Sequence, residues 1–255
     1  MLTDAQIRHF HEHGWIAPLE AFTGDEALRH RGAFERLRTE VADAYAINGC
    51  HTTCRSIWEL ATHPALAAAV QDLLGEDLLV WGTHFFSKEP GDPRAVAWHQ
   101  DGPYWPFTPL RTVTAWIAID DSDAENAAMQ VVPGSHRLGV LPYRASRPDE
   151  RNVLHRSLDG IDQLPAPVHL TLRAGQFSLH HNLLVHGSQA NRSPRRRCGL
   201  TVRFCTPEVA APGHPGWMRG AIRISGQRPA AAGWEFPACP DGDAIARPEL
   251  TIGAN

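Results

Sequence analysis

Two hydrophobic patterns divide the chain. Up to about residue 76, apolar residues recur with the period of an α-helix, and a capping-box signature at Thr3 opens a helix that should end before Gly14. A second helix is predicted over 25–46, and a third over 64–74 starts with a proline and stops at a glycine. The buried side of the second helix is expected to consist of Leu28, Phe34, Leu37 and Val41.

From residue 77 the pattern is that of β-strands separated by Gly, Pro, Asp and Asn. The runs are DLLVWGTHFFSK, RTVTAWIAID, AAMQVVPGSH, PVHLTLRAG, QFSLHHNLLVHG and CGLTVRFCT. No long helical pattern lies between them, so the sheets are expected to be mostly antiparallel. The predicted fold is mainly β with N-terminal helices, in one domain that has a helical layer at 1–76, a jelly-roll core at 77–206 and an irregular C-terminal cover at 207–255.

Length and composition narrow the functional classes. The 255 residues, 43% of them hydrophobic, suffice for one sizeable core, and a net charge of −4 gives no basic field for nucleic acid. No apolar run approaches the roughly 20 residues of a membrane span, and the N-terminus lacks the pattern of a secretory signal. The five scattered cysteines are typical of reduced thiols, so a cytoplasmic location is expected. His51 lies between Cys50 and Cys54, but no second ligand pair lies nearby, so no zinc site is expected.

The stretch AWHQDGPYW, residues 97–105, contains the first candidates for chemistry. His99 and Asp101 are two residues apart, and on a strand they would face the same side. An imidazole and a carboxylate are two of the three ligands in the facial triad that holds non-haem Fe(II). His186, at the end of the apolar run LLVH, is the preferred third ligand. Arg197 follows eleven residues later and opens the next predicted strand, where its guanidinium could clamp a carboxylate.

His181 is an alternative third ligand, because Arg192 follows it at the same spacing of eleven residues. Arg192, however, falls in the predicted turn QANRSP, whereas Arg197 begins a strand. The HGS context also favours His186 over His181. In that case His180 and His181 are expected to support the strand or to contact the ligands from outside.

Taken together, these motifs resemble those of the phytanoyl-CoA dioxygenase-like family of Fe(II)/2-oxoglutarate-dependent dioxygenases. The matching stretches are LTDAQIRHFHEHGW, AWHQDGPYW, VTAWIAIDDSDAENAAMQVVPGSH and LHHNLLVHGSQANRSPRRR. The resemblance implies a double-stranded β-helix core with iron held by His99, Asp101 and His186. It also implies 2-oxoglutarate as cosubstrate, with its far carboxylate on Arg197 and Ser188, and dioxygen as oxidant. The stretch ENAA departs from the Asn-Gly that is more frequent in the family, which affects a turn and not the ligands.

Several other residues are candidates for lining the site. Thr83 and Lys88, on the first long strand, are candidates for cosubstrate contacts, and alternation allows either Thr83 or His84 to point inward. Arg203 shares a strand face with Arg197, so it should also point inward and need an anionic partner. Substrate contacts are expected from Arg203, Arg55, His84, Tyr104 and Trp105.

The expected activity is hydroxylation of an unactivated C–H bond, with succinate and carbon dioxide as coproducts. Related halogenases have Gly or Ala in place of the carboxylate ligand, so the presence of Asp101 favours hydroxylation over chlorination. The expected partner is a small polar or anionic molecule, such as an amino acid, a phosphonate or a natural-product intermediate. Alternatives are desaturation, epoxidation or cyclisation by the same chemistry, a non-catalytic jelly-roll binding module, and a zinc hydrolase.

Overall fold

A computed structural model describes residues 1–245 of the chain. Their helices are α1 (Asp4–His13), α2 (Gly24–Arg38), α3 (Arg55–Ala61) and α4 (Pro64–Leu74). Their strands are β1 (Trp15–Glu20), β2 (Leu78–Lys88), β3 (Val96–His99), β4 (Thr112–Ala118), β5 (Gln130–Val131), β6 (Tyr143–Ala145), β7 (Arg156–Leu158), β8 (Val168–His169), β9 (Gln176–His181), β10 (His186–Ser188), β11 (Arg197–Cys205) and β12 (Ile222–Ser225). Apart from β1, these strands all follow the helices along the chain.

Two antiparallel sheets form the core. The larger sheet has six strands in the order β1-β9-β4-β11-β2-β12, and the smaller has four in the order β3-β10-β5-β8. Strands β6 and β7 form a separate two-stranded sheet. Most neighbours in the two larger sheets are distant in sequence, as in a jelly roll, where the chain crosses repeatedly from one sheet to the other. The predicted fold class, mainly β with N-terminal helices, is confirmed.

Strand β11 lies in the interior of the larger sheet, between β4 and β2, and all 9 of its residues are buried. Its even-numbered residues, within 198–204, belong to the same hydrophobic cluster as Phe34 of α2. On the opposite face, Arg197, Thr201 and Arg203 line a cavity. The helical layer therefore covers the outer face of the larger sheet, and polar side chains are available on the inner face.

Helix α1 begins and ends where the sequence predicts. The Thr3 hydroxyl accepts a hydrogen bond from the backbone N–H of Gln6, and the Gln6 side chain accepts one from the backbone N–H of Thr3. Gly14 ends the helix with a φ of 85°, a left-handed conformation that glycine adopts without strain. Helix α4 likewise covers the predicted range of 64–74.

Helix α2 differs from the prediction in its length and its buried side. It ends at Arg38 and not at residue 46, and Asp43 then accepts a hydrogen bond from the Tyr45 N–H and starts a separate 3₁₀ turn. Leu28, predicted to be buried, is 64% exposed. Leu28 lies six positions before the buried Phe34, which places the two about 120° apart around the helix.

Five elements lie where the sequence predicts none, and two of them are β6 and β7, which pair with each other. Strand β1 is part of the predicted helical layer but pairs with β9, and β12 is part of the predicted irregular cover but pairs with β2. Helix α3 lies just before the predicted helix over 64–74, in a stretch expected to form a turn. Residues 246–255 of the predicted cover lie outside the described residues. Among the helices of the described part, none is long and apolar enough to cross a membrane.

Gly199 of β11 is a position where the larger sheet requires a glycine. A methyl group at this position would come within 2.0 Å of Cζ2 of Trp116. Because the Trp116 ring or the strand would have to move, we expect Gly199→Ala to lower the free energy of unfolding by about 1–3 kcal/mol. Urea denaturation followed by circular dichroism measures this change.

The matched control is Gly24→Ala, because no atom lies within 4 Å of a methyl group at that position of α2. We expect this variant to unfold at the urea concentration of the wild type or slightly above it. Equal midpoints for Gly199→Ala and the wild type would show that Trp116 does not constrain the sheet.

Candidate active site

Two histidines face each other across a pair of strands at one end of the smaller sheet. His99 ends β3 and His186 begins β10, and the two are direct partners in the antiparallel register. Their ring centroids are 4.0 Å apart. The Nδ1 atom of His99 donates to the Ala97 carbonyl at 2.8 Å, and that of His186 donates to the Leu184 carbonyl at 2.9 Å. Both Nε2 atoms therefore keep a free lone pair for a metal ion.

Asp101 reaches the two imidazoles from a turn and not from a strand. Strand β3 ends at His99, and Asp101 has the helical angles φ −67° and ψ −47° just before the 3₁₀ turn Gly102–Tyr104. Its Oδ1 atom lies 3.6 Å from Nε2 of His99 and 3.8 Å from Nε2 of His186. With ligand bonds of about 2.0–2.2 Å, two donors of one metal ion lie at most about 4.4 Å apart, so the three side chains fit one ion.

The second carboxylate oxygen of Asp101 has its own partners. The Thr114 hydroxyl donates to Oδ2 at 3.2 Å, and Nε2 of His180 lies 3.5 Å from the same atom. His180 is fully buried on β9, and neither of its ring nitrogens has a hydrogen-bond partner among the described residues. Because Oδ2 faces these two groups, Oδ1 is the oxygen available to a metal ion. Strand alternation could have predicted this position of His180 from the sequence. Phe177 and Leu179 face the outer hydrophobic cluster, so His180 faces the opposite, inner side.

The protonation states of the cluster suit metal binding. Burial by itself would raise the pKa of Asp101, but the three imidazoles around it hold that pKa well below the usual range. Burial drives the pKa of His186 well below its usual value. The cluster therefore presents a carboxylate and a neutral imidazole, which are the forms that bind metal ions.

Arg197 is a buried cation without a carboxylate partner. Its side chain is almost inaccessible, it donates to the Ser188 hydroxyl at 3.2 Å and to the Phe86 carbonyl at 3.4 Å, and its Nε has no partner. Its guanidinium lies 5.5 Å from the centre of the Trp116 ring. Within residues 1–245 it forms no ion pair with an acidic side chain. Because a buried unpaired charge is costly, this site suits an anionic ligand.

The metal-ligand cluster and Arg197 line one cavity. Its walls also include Phe86, Val96, Trp116, Met129, His180 and Thr201. Polar and charged side chains therefore meet apolar walls in this cavity, as in many small-molecule sites.

Arg203 lines the same cavity, and two predicted aromatic or imidazole contacts lie beside it. Its guanidinium lies 5.5 Å from the Trp81 ring and 5.8 Å from the Trp105 ring. His84 is on the same face of the sheet, since its register partner is the inward-facing Thr201, and its Nε2 donates to a backbone carbonyl. Burial, with the nearby charge of Arg203, lowers the pKa of His84 to about 3, so this imidazole is neutral.

Tyr104 lies on the other side of the metal-ligand cluster. Its ring is perpendicular to that of His99, with the centroids 6.1 Å apart, and its hydroxyl donates to the Arg156 carbonyl at 3.5 Å. Tyr104 therefore supports a ligand histidine, and it lies against a smaller hollow that is separate from the cavity of Arg197.

Three predicted contact residues do not line the cavity. Thr83 lies on the outer face of β2, where its hydroxyl contacts Nδ1 of the buried His51 at 3.0 Å. The amino group of Lys88 is occupied by three backbone carbonyls, including those of Arg94 at 2.9 Å and Ser188 at 3.3 Å. Arg55 begins α3, where its half-exposed side chain pairs with Glu59 at 3.0 Å, away from the cavity.

The alternative ligand His181 lies outside the cluster. Its Nδ1 accepts a hydrogen bond from the Leu183 N–H at 3.0 Å, and its ring packs between His136 and Phe10 of α1. Among the described residues, the group that could hold a metal ion consists of His99, Asp101 and His186.

Comparison with known proteins identifies the family. The family model of phytanoyl-CoA dioxygenase (PhyH) matches residues 10–199. The chain belongs to this family. L-proline trans-4-hydroxylase of Streptomyces griseoviridis is 28% identical over 243 residues, which cover 84% of this chain and 90% of that protein.

Solved structures related to this phytanoyl-CoA dioxygenase family member have the same fold. The non-heme monooxygenase ThoJ is 27% identical, with a TM-score of 0.78 over 93% of this chain and 89% of ThoJ. The epimerase SnoN, in complex with Fe3+, alpha ketoglutarate and nogalamycin RO, is 22% identical, with a TM-score of 0.70 over 93% of this chain and 96% of SnoN. The family uses Fe(II), 2-oxoglutarate and dioxygen, so the predicted cofactors and the predicted class of 2-oxoglutarate-dependent dioxygenase are confirmed.

Exchanging single histidines tests the choice between the two candidate third ligands. We expect His186→Gln to weaken Fe(II) binding more than a hundredfold, because a ligand itself is lost. Loss of a group that only orients a ligand typically weakens metal binding about tenfold to a hundredfold. We expect His181→Gln to bind Fe(II) as the wild type does, because that ring packs under α1. Anaerobic calorimetric titration with Fe(II) measures both affinities, and strong binding by His186→Gln with loss in His181→Gln would reverse the assignment.

Proposed function

We propose that this enzyme hydroxylates an unactivated C–H bond of a small polar or anionic molecule, with succinate and carbon dioxide as coproducts. The observation that carries the proposal is a complete cluster of His99, Asp101 and His186 in the same cavity as the unpaired cation Arg197. A non-catalytic binding module would not need all of these groups together. A zinc hydrolase would have no role for Arg197.

In this proposal each group of the cluster has a defined task. Nε2 of His99, Nε2 of His186 and Oδ1 of Asp101 would hold iron, which would supply the oxidation chemistry. The Thr114 hydroxyl donates to Oδ2 of Asp101 and Nε2 of His180 lies 3.5 Å from it, which leaves Oδ1 as the oxygen directed at the two ligand histidines.

Arg197 and Ser188 are proposed to bind the far carboxylate of 2-oxoglutarate. The two side chains are already hydrogen-bonded to each other, so the guanidinium is oriented before the ligand arrives. Apolar walls from Phe86, Val96 and Met129 exclude water from the space beside the cluster.

The sharing of one cavity favours a small substrate. The cavity that contains the metal-ligand cluster and Arg197 has to contain the cosubstrate as well as the reacting part of the substrate. L-proline, on which the hydroxylase of Streptomyces griseoviridis acts by its name, is an amino acid of suitable size. The proposed substrate contacts are Arg203, His84 and Trp105, with Tyr104 supporting His99.

The type of reaction can be measured directly. We expect purified protein with Fe(II), 2-oxoglutarate and dioxygen to form succinate, and a panel of amino acids and other small polar acids to stimulate that rate. Mass spectrometry should show a product that has gained one oxygen atom. A loss of two hydrogen atoms would indicate desaturation or ring closure instead, and the absence of succinate in every reaction would contradict the proposal.

Arg197 gives a second test that needs no substrate. We expect Arg197→Met to weaken 2-oxoglutarate binding by about tenfold to a hundredfold, because one charge-assisted contact worth about 1.5–3 kcal/mol is lost. The anaerobic visible absorption band of the protein with Fe(II) and 2-oxoglutarate, titrated with the cosubstrate, measures the affinity.

The control for Arg197→Met is Arg219→Met, because Arg219 is a largely exposed arginine whose contact is with Glu235 on the surface. This variant should bind 2-oxoglutarate with the wild-type affinity. The proposed role of Arg197 would be excluded by equal affinities of Arg197→Met and the wild type.

A further inference from the structure

Arg203 is a second buried cation in the cavity, and nothing in the proposed cosubstrate site accounts for it. Its side chain is 9% exposed, and its Nε has no hydrogen-bond partner. No acidic side chain in residues 1–245 lies within ion-pair distance of it. Desolvating a guanidinium without a partner is costly, so its presence on a buried strand requires an explanation.

The surroundings of Arg203 fix the guanidinium and leave its donors free. Trp81 and Trp105 lie together on one side of it, in edge-to-face contact with their centroids 4.7 Å apart. Gly82 is its register partner on β2, and the Arg203 side chain packs over this glycine. A methyl group added at Gly82 would lie 3.8 Å from Nη1 of Arg203. Contacts with aromatic faces stabilise the cation without using its N–H groups. The donors of Arg203 are therefore available to a ligand.

Arg203 and Arg197 enter the cavity from well-separated positions on β11. Six residues separate the two on β11, so at about 3.3 Å per residue their Cα atoms are about 20 Å apart. Both side chains point into the same cavity because their positions have the same parity. The two cations therefore lie toward opposite ends of the cavity, with Thr201 between them on the strand.

The balance of charge in the cavity leaves one positive charge unpaired. The lining side chains with a permanent charge are Asp101, Arg197 and Arg203. Fe(II) adds two positive charges and 2-oxoglutarate adds two negative charges. One positive charge then remains, and it is that of Arg203. A substrate with a single negative charge would neutralise it.

We infer that Arg203, beside Trp81 and Trp105, forms the binding site for a carboxylate group of the substrate. This inference rests on the proposed function, because it assigns the anion on Arg203 to the molecule that is oxidised. The guanidinium presents paired N–H groups that match the two oxygens of a carboxylate. The substrate class is then a small monocarboxylate, including amino acids.

Acetate is a suitable probe because it consists of little more than the carboxylate group. The protein is saturated anaerobically with Fe(II) and 2-oxoglutarate, so that the visible band reports the occupied cosubstrate site. Acetate is then titrated while tryptophan fluorescence is recorded, since Trp81 and Trp105 lie beside the proposed site. We expect saturable binding of acetate in the millimolar range without loss of the visible band, and no saturable effect of the uncharged acetamide.

Variants at position 203 show whether the signal comes from this site. We expect Arg203→Met to weaken acetate binding at least tenfold, and Arg203→Lys to weaken it less, because the charge remains while the paired donors are lost. Arg55→Met is the matched control and should bind acetate as the wild type does, because Arg55 is half exposed and lies away from the cavity. Retention of the visible band in each variant shows that the protein is folded and loaded.

The possible results separate this inference from the proposed function. A visible band with no saturable acetate binding in the wild type would overturn the carboxylate site and leave the proposed function intact. The same conclusion would follow if acetamide bound as well as acetate, or if Arg203→Met bound acetate with wild-type affinity. A wild type that gives no visible band would overturn the proposed function, and the inference with it.

Discussion

In β11, successive side chains point to opposite faces of a sheet that is covered on both sides. The even-numbered residues contribute to the hydrophobic cluster beneath the helices, and the odd-numbered residues face the cavity. A shift of the strand by one residue would place Leu200 and Val202 in the cavity and both arginines in the apolar core. The register of β11 is therefore set by the same alternation that builds the site. Because the helices cover the apolar face of the strand, they favour this register over a shifted one.

This arrangement has a cost, because two guanidinium groups are buried while one carboxylate lies near them. Each arginine is retained by contacts that do not neutralise it. Arg197 packs over Trp116 and donates to Ser188, and Arg203 packs beside a pair of tryptophan rings. Aromatic contacts and neutral hydrogen bonds lower the cost of burial but leave the charge available. A cavity built in this way attracts anions more strongly than a cavity with internal ion pairs.

The ligand cluster could be predicted from the sequence because residue types and spacing were sufficient, although the local geometry differs. His99 and His186 face each other through strand register. Asp101 reaches the same point from a helical turn, which the spacing of two residues also allows. The mainly β fold was predictable for a similar reason, since long strands such as β2 and β11 carry a strong pattern. Short edge strands such as β1 carry a weak pattern, and only their pairing reveals them.

The contacts around the cluster could not be predicted in the same way. Which of Thr83 and His84 faces inward depends on the pairing of β2 with β11, and that pairing is not visible in either strand alone. Lys88 has the inward parity, but its long side chain reaches the backbone carbonyls of Arg94, Ser188 and Gln189. The carbonyls of Arg94 and Gln189 come from loops whose path no local pattern describes, and that of Ser188 comes from the end of β10. Side chains that bind backbone groups of distant loops are therefore the least predictable part of such a site.

Arg197 and Arg203 have the same residue type, the same strand and the same face, and yet their surroundings suit different ligands. Ser188 and the Phe86 carbonyl take up donors of Arg197, which fixes its direction and suits a cosubstrate that is the same in every catalytic cycle. The guanidinium of Arg203 makes no hydrogen bond to the described residues, and its aromatic neighbours constrain its plane only. Changes to Trp81 or Trp105 would alter the space beside Arg203 without disturbing the iron ligands. Substrate specificity can therefore vary at this end of the cavity while the chemistry at the other end is preserved.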